Sequence, residues 1–124
     1  TFRLAEKHLQ NNRVLLVAGG TGRPYSTHDT AAILTGLELQ CDIVLKATKV
    51  DGVFDKDPMK HDDAKMHTHM AFQSAVENSD VKVMDQAALG LAMEHNMPTI
   101  VFNAFKEDNL LKAVKGESIG TIIS

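Results

Sequence analysis

A glycine- and hydroxyl-rich stretch, GGTGRPYSTHDT at positions 19–30, is the first segment of the sequence that could bind a ligand. It follows directly on the apolar run VLLVA at positions 14–18. Glycines allow positive φ angles and close backbone approach, and a helix that starts after them offers free N–H groups to an anion. The stretch matches neither the Walker pattern nor the dinucleotide-binding glycine pattern. Spacing alone therefore leaves anion binding and a plain turn as equal alternatives.

A second stretch, KATKVDGVFDKDP at positions 46–58, combines lysines with closely spaced aspartates. Lys46 and Lys49 flank the end of a predicted strand, and Asp51, Asp55 and Asp57 follow. Lysines supply point charge to phosphate oxygens, and carboxylates can hold Mg²⁺ through water. The order of the aspartates does not match a calcium-binding EF-hand loop. A solvated loop with an Asp-Gly turn is the alternative interpretation.

The remaining candidates for chemistry have simpler interpretations. His61, His67 and His69 are close in sequence, and the last two are predicted to share one face of a strand. A zinc site needs further ligands at defined spacing, which the sequence does not mark, so we predict loop histidines and no metal held by the protein. Lys82 is predicted to be an exposed loop lysine, and Asp85 the N-cap of the helix that follows it.

Composition restricts the class of protein. The chain has 124 residues, enough for one modest domain, with 13 basic and 16 acidic side chains. That balance argues against a nucleic-acid partner, which requires surplus lysine and arginine. The sequence contains no apolar stretch near the length of about 20 residues that spans a bilayer, so we expect a cytoplasmic protein with no membrane partner. The single cysteine, Cys41, cannot form an internal disulfide and is predicted to be a buried hydrophobe at a strand edge.

The elements that must position these residues alternate between helix and strand. We predict a helix over residues 2–11, with Phe2, Ala5 and Leu9 on one face. The apolar run at 14–18 is typical of a strand buried on both faces of a parallel sheet. A helix capped by Asp29 or Thr30 then extends to Leu39, and a strand follows over 42–48. This order predicts a right-handed strand–helix–strand crossover.

The second half of the sequence continues the alternation. Helices are predicted over 70–78, 85–95 and 108–115, and strands over 98–103 and 119–123. The pattern predicts a single layered α/β domain. The chain opens inside an amphipathic helical pattern without a methionine, which we interpret as a cut from a longer protein.

Taken in order, five segments resemble the bacterial-type uridylate (UMP) kinases of the amino acid kinase family: GTGRPYSTHDTAA, DIVLKATKVDGVFDKDP, VKVMDQAALGLA, PTIVFN and KGESIGTII. The resemblance covers about residues 13–123 and only the C-terminal half of such an enzyme. It implies that residues 1–124 are part of a carbamate kinase-like domain, a three-layer α/β/α fold around a mainly parallel sheet, usually in a homohexamer. It also implies transfer of the γ-phosphoryl of ATP to UMP with Mg²⁺, a step of pyrimidine nucleotide biosynthesis.

The same resemblance implies roles for individual residues. Asp29 would lie at the reaction centre, where it could hold lysines in position, and Lys46 and Lys82 would face the transferring group. A loop would contact the phosphate and base of UMP, and three further residues would border the ATP site, the aromatic one near adenine. The UMP loop comprises Thr21, Gly22, Arg23, Pro24, Tyr25, Ser26, Thr27 and His28, and the ATP group Thr48, Phe54 and Asp57.

The sequence departs from the family pattern GTGNPFFTTD in the loop. Arg23 replaces the asparagine, Tyr25 and Ser26 replace the two phenylalanines, and His28 replaces the second threonine. A charge beside an anionic ligand can strengthen phosphate contact or change base selection, so UMP and CMP both stay possible substrates. The family's N-terminal half, with its first phosphate loop and UMP-holding arginine and aspartate, is absent. We therefore predict that the chain by itself has no appreciable kinase activity.

Three alternatives stay open. Aspartate, glutamate and acetylglutamate kinases share a VDGVF-like turn, but they lack the combination of a GTG-x-P loop with KATKVDG. A non-catalytic relative, such as the molybdenum storage proteins, would bind oxyanions or ATP without turnover and would lack the GTG-x-P loop. A degenerate fragment would have only a structural role.

Overall fold

The computed structural model describes residues 1–78 and 83–124. This part of the chain contains both helices and strands, and most of them lie within two or three residues of the predicted bounds. None of the helices in these ranges is long and apolar enough to cross a bilayer. The elements are α1 Phe2–Gln10, α2 His28–Glu38, β1 Val44–Thr48, β2 His69–Met70, α3 Phe72–Glu77, α4 Gln86–Glu94, β3 Thr99–Asn103, α5 Asn109–Val114 and β4 Thr121–Ile123.

The strands form one mixed sheet in the order β1-β3-β4-β2. β1 pairs with β3 and β2 with β4 in parallel, and only the β3–β4 pair is antiparallel. The register aligns Thr48 with Asn103, so β1 and β3 end at the same edge of the sheet. Ligands of open α/β sheets bind beyond that edge. The predicted α/β class with a mainly parallel sheet is confirmed.

β3 is the centre of the core because its side chains supply both faces of the sheet. Val101 belongs to the larger apolar cluster, together with Ile33 of α2 and residues of α3 and α4. Ile100 and Phe102 belong to the smaller cluster, which includes Ala113 of α5. Alternate residues of a strand point to opposite faces, so helices cover the sheet on both sides. This arrangement gives the three layers that the sequence predicts.

The prediction of a buried strand at 14–18 is wrong. The segment is irregular, and the side chains of Val14 and Leu16 are 92% and 98% exposed. An apolar segment becomes a strand only when a neighbour takes up its backbone hydrogen bonds, and no strand in the described ranges pairs with it. β1 is likewise an edge strand, with β3 on one side only. The predicted crossover is therefore absent, because its first strand is missing.

Several local predictions also need correction. α2 is capped by Thr27, whose side chain accepts a hydrogen bond from the Thr30 amide, and not by Asp29 or Thr30. α1 forms as predicted; none of its residues is fully buried, and Ala5 and Leu9 are half-buried. β2 is too short to include His67, so the two histidines do not share a strand. Cys41 is exposed and lies three residues before the sheet begins at Val44.

Candidate active site

The loop before α2 is shaped by an unusual number of left-handed residues. Gly19, Gly20 and Gly22 have φ angles of 92°, 60° and 66°, and Tyr25 also has a positive φ of 61°. Glycine adopts this conformation without strain, whereas a residue with a side chain rarely does. These turns end the apolar run abruptly and bring Thr27 to the N-terminus of α2.

The side chains that the resemblance assigns to UMP line two adjoining cavities. Thr21, Arg23 and Ser26 line one of about 330 Å³ against α2. His28 lines the other, of about 480 Å³, between the end of the apolar run and the start of β1, and Gly20, Ala31 and Thr35 line both. The Thr27 hydroxyl is bonded within the protein. The remaining members of the loop, Gly22, Pro24 and Tyr25, are exposed.

Asp29 and Lys46 form an ion pair where α2 meets the sheet. The Lys46 Nζ lies 2.8 Å from Oδ2 of Asp29 and 2.7 Å from the carbonyl oxygen of Val83. The lysine and aspartate side chains are 24% and 26% exposed, so both are shielded yet reachable from solvent. A lysine ammonium has three N–H donors, and these two partners use two of them. Within the described residues, the third donor is left for a ligand oxygen.

Asp85, the N-cap of α4 as predicted, connects this pair to the loop. Its carboxylate accepts hydrogen bonds from the Thr27 hydroxyl and, at 2.9 Å, from the Ala88 amide. Its own amide donates to Oδ2 of Asp29 at 3.2 Å. Burial raises the pKa of Asp85, but the bonds from Thr27 and from the first amides of α4 outweigh it and hold that pKa below its ordinary value. Sequence reasoning missed the connection, because Thr27 and Asp85 are 58 positions apart.

The residues assigned to ATP lie at the end of β1 and in the loop after it. Thr48 is two positions after Lys46 on β1, so both side chains belong to the same face of the sheet. The Thr48 hydroxyl accepts from the Val50 amide at 3.1 Å. Phe54 is half-buried and forms a backbone bridge with Met66. Asp57 is exposed and accepts from the Met59 amide at 2.9 Å.

The aspartates of this loop do not converge on a metal site. Asp51 accepts from Lys106 at 2.8 Å and from Asn103 at 3.0 Å, and these bonds hold its pKa below the ordinary value. Asp55 accepts from the Lys65 amide, which lowers its pKa as well. In residues 1–78 and 83–124, no group of three or more histidine, cysteine or acidic side chains is arranged to hold a metal ion. Lys82 lies outside the described residues, so its assigned role stays a prediction.

Comparisons with known proteins show which family and fold this chain shares. A sequence model described as the amino acid kinase family matches residues 2–103. The uridylate kinase of Serratia proteamaculans is 49% identical over 116 residues, which are 94% of this chain and 48% of that protein. The chain therefore spans about half the length of this curated relative.

Solved structures of UMP kinases and of an aspartate kinase are also similar to this chain. The crystal structure of UMP kinase from Bacillus anthracis matches all of this chain and 51% of its own, with a TM-score of 0.94 and 35% identity. UMP kinase from Ureaplasma parvum matches with a TM-score of 0.91 and 32% identity, over 53% of its own chain. Aspartate kinase from Synechocystis, at 23% identity and a TM-score of 0.73, shares the fold.

Proposed function

Since the chain belongs to the amino acid kinase family, we propose that it supplies the C-terminal part of a UMP kinase domain. The observation that carries the proposal is the Asp29–Lys46 ion pair, which lies at the start of α2 directly after the glycine loop. A fixed cation beside a helix N-terminus suits a reaction that moves a phosphoryl group. The similarity to uridylate and UMP kinases supports UMP as the acceptor.

In the proposed reaction, an oxygen of the UMP phosphate attacks the γ-phosphorus of ATP. The bond from that phosphorus to the oxygen bridging the β-phosphate breaks, and the products are UDP and ADP. Negative charge spreads over the transferring oxygens, so positioned cations carry most of the catalysis. Asp29 holds Lys46, whose third N–H donor faces the transferring group. Lys82 is a second candidate for the same role.

The two substrates would approach from opposite ends of this pair. The loop from Thr21 to His28 binds UMP, with Arg23 near its phosphate, while Thr48, Phe54 and Asp57 border ATP. Because the loop carboxylates are each bonded separately, Mg²⁺ would be held by the phosphates of ATP rather than by a protein cage. When bound, the ion neutralises charge on the β- and γ-phosphates. We place the enzyme in the cytoplasm, as a homo-oligomer and a hexamer by family resemblance.

The proposed enzyme is completed by an N-terminal half that pairs with this chain. Supporting observations are the exposed apolar run at 14–18, the exposed side chains of Phe2 and Leu4 in α1, and the open edge of β1. Exposed apolar surface of this kind is typical of an interface. The isolated chain is expected to be inactive, because the first phosphate loop of the family is not among its residues.

The experiment is a UDP-formation assay on the chain, on the N-terminal half of the Serratia relative, and on their mixture. We expect activity only in the mixture, and its loss in Asp29→Asn and Lys46→Met. Lys56→Met is the matched control, since it removes another Lys–Asp pair, with Asp63, in the loop after β1. Full activity of the isolated chain would contradict the proposal of a partial site.

The choice of base is tested in the same assay with UMP and CMP. Arg23→Asn restores the family residue and should leave the ratio of UMP to CMP turnover unchanged if the arginine contacts phosphate only. Preference for CMP over UMP would overturn the substrate assignment. Binding of ATP without turnover in an assembled mixture would instead indicate a non-catalytic relative.

A further inference from the structure

The carboxylate of Asp85 joins the N-termini of two helices. One oxygen accepts from the Ala88 amide in the first turn of α4, and the other accepts from the Thr27 hydroxyl. The Thr27 oxygen in turn accepts from the Thr30 amide in the first turn of α2, at 3.3 Å. The N-cap of each helix is therefore bonded to the N-cap of the other. A capping residue normally satisfies only its own helix.

The backbone around Asp85 also forms hydrogen bonds to the Asp29–Lys46 pair. Its amide donates to the Asp29 oxygen that also accepts from Lys46. The carbonyl of Val83, two residues earlier, accepts from the same ammonium group. The position of this segment therefore sets the orientation of both Asp29 and Lys46.

The negative charge around Lys46 indicates that Asp85 does not itself contact a nucleotide. Asp29 and Asp85 bring two carboxylates to a single described lysine, Lys46. A second carboxylate facing a phosphate would repel it. The oxygens of Asp85 are already directed to a hydroxyl and an amide, which is the arrangement of a residue that acts through others.

We propose that Asp85 is a positioning residue: its carboxylate fixes the UMP loop to the start of α4 through Thr27, and its backbone amide holds Asp29 beside Lys46. The inference rests on the proposed function for its effect on catalysis, whereas the structural connection between the two helices does not. Its consequence is that the loop and the charged pair move as one unit.

The first test measures the connection on the chain alone, by amide hydrogen exchange. Asp85→Ala should weaken protection of the Thr30 amide, which lies on the other helix, but less than Thr27→Val, which removes the acceptor of that amide. Gln86→Gly is the control, because it weakens the first turn of α4 without removing the carboxylate. Thr30 protection that changes equally in the control, or does not change in Asp85→Ala, would refute the connection.

The second test measures turnover in the chain assembled with its N-terminal half. We expect Asp85→Ala to lower kcat by about 10- to 100-fold, the loss that follows when a reacting group is misplaced by about 1 Å. Asp85→Asn should recover most of it, because asparagine caps a helix about as well as aspartate. Thr27→Val added to Asp85→Ala should lower kcat by a smaller factor than Thr27→Val does alone, since the two residues share one bond. Unchanged kcat in Asp85→Ala would overturn the positioning role.

The two tests separate this inference from the proposed function. If Thr30 protection responds to Asp85→Ala but no assembly forms UDP, the proposed function fails and the connection stands. If UDP forms but Asp85→Ala affects neither readout, the positioning role fails and the proposed function stands.

Discussion

Two apolar segments of the chain, residues 14–18 and β3, have similar sequences and opposite surroundings. VLLVA at 14–18 and TIVFN in β3 are both short runs followed by a turn. β3 pairs with β1 and β4, and its Phe102 is fully buried. The 14–18 run has no partner strand in the described ranges, and its Leu16 is 98% exposed.

The difference shows that apolar composition alone does not make a strand. β3 lies between two strands and under helices on both faces, so its backbone and side chains are both satisfied. The 14–18 run has no partner strand in the described ranges, and its Val14 and Leu16 are not covered by other side chains. The following predictions test that contrast, from the largest expected effect to the smallest.

The largest difference should appear when side chains are removed from the two segments. Phe102→Ala should lower the free energy of unfolding by about 3–5 kcal/mol, because it leaves a cavity in the core. Leu16→Ala should change it by less than about 0.5 kcal/mol, because an exposed side chain loses no contacts. Denaturant unfolding of the chain measures both values. Similar losses in the two variants would mean that the run is packed in solution.

Glycines beside the two segments provide a second contrast. A methyl group on Gly120 would lie 2.1 Å from the Val101 carbonyl oxygen in β3, and this glycine has a φ of 63°. A left-handed conformation alone costs an alanine about 1–2 kcal/mol. Gly120→Ala should lower the free energy of unfolding by more than that, because the methyl group also collides with β3. Gly22→Ala is the matched control, with a φ of 66° and open space around the added methyl group. Equal losses of unfolding free energy would contradict the close packing against β3.

Charge placed in the 14–18 run should affect assembly and not folding. We expect Leu16→Lys to leave the melting temperature unchanged and to weaken binding to the N-terminal half, because it puts a cation into an apolar interface. Phe105→Lys is the control, since Phe105 is exposed in the segment after β3. Calorimetric titration measures both affinities. Equal affinity of Leu16→Lys and the unchanged chain would exclude the run from the interface.

The smallest effect concerns the ion pair at the end of β3. Lys106→Met should lower stability by about 1 kcal/mol or less, because the pair is largely exposed. The pKa of Asp51 in the folded chain is below its ordinary value of 3.8. The stabilisation from its charge is therefore fully present above pH 3.8 and is lost as the pH falls through the pKa of the folded chain. The difference between Lys106→Met and the unchanged chain should therefore shrink in acid.

Denaturant unfolding of Lys106→Met and of the unchanged chain, each at neutral pH and at low pH, measures the difference in their free energies of unfolding. Lys7→Met in α1 is the control near the 14–18 run, since no described carboxylate is paired with Lys7. A pH-independent difference for Lys106→Met would show that the pair does not contribute through the charge of Asp51.

Local pattern predicted most of the elements. The apolar spacing of α2, α4 and β3 indicated both their type and their bounds within a few residues, because these segments pack with partners inside the chain. The cap of α2 was misplaced, since Thr27, Asp29 and Thr30 are all good capping residues and only tertiary contacts select among them. Cys41 was misjudged for a related reason, because the strand begins only at Val44.

The sequence by itself determined the fold class, the turn after residue 18 and the order of the kinase-like segments. These follow from hydrophobic periodicity, from glycines where φ is positive, and from residue identity. Only the tertiary structure decided that the apolar run is uncovered, that Lys46 meets Asp29, and that Asp85 bonds to Thr27. Such contacts join residues that are distant in sequence, so their formation depends on how the whole sheet and its helices pack.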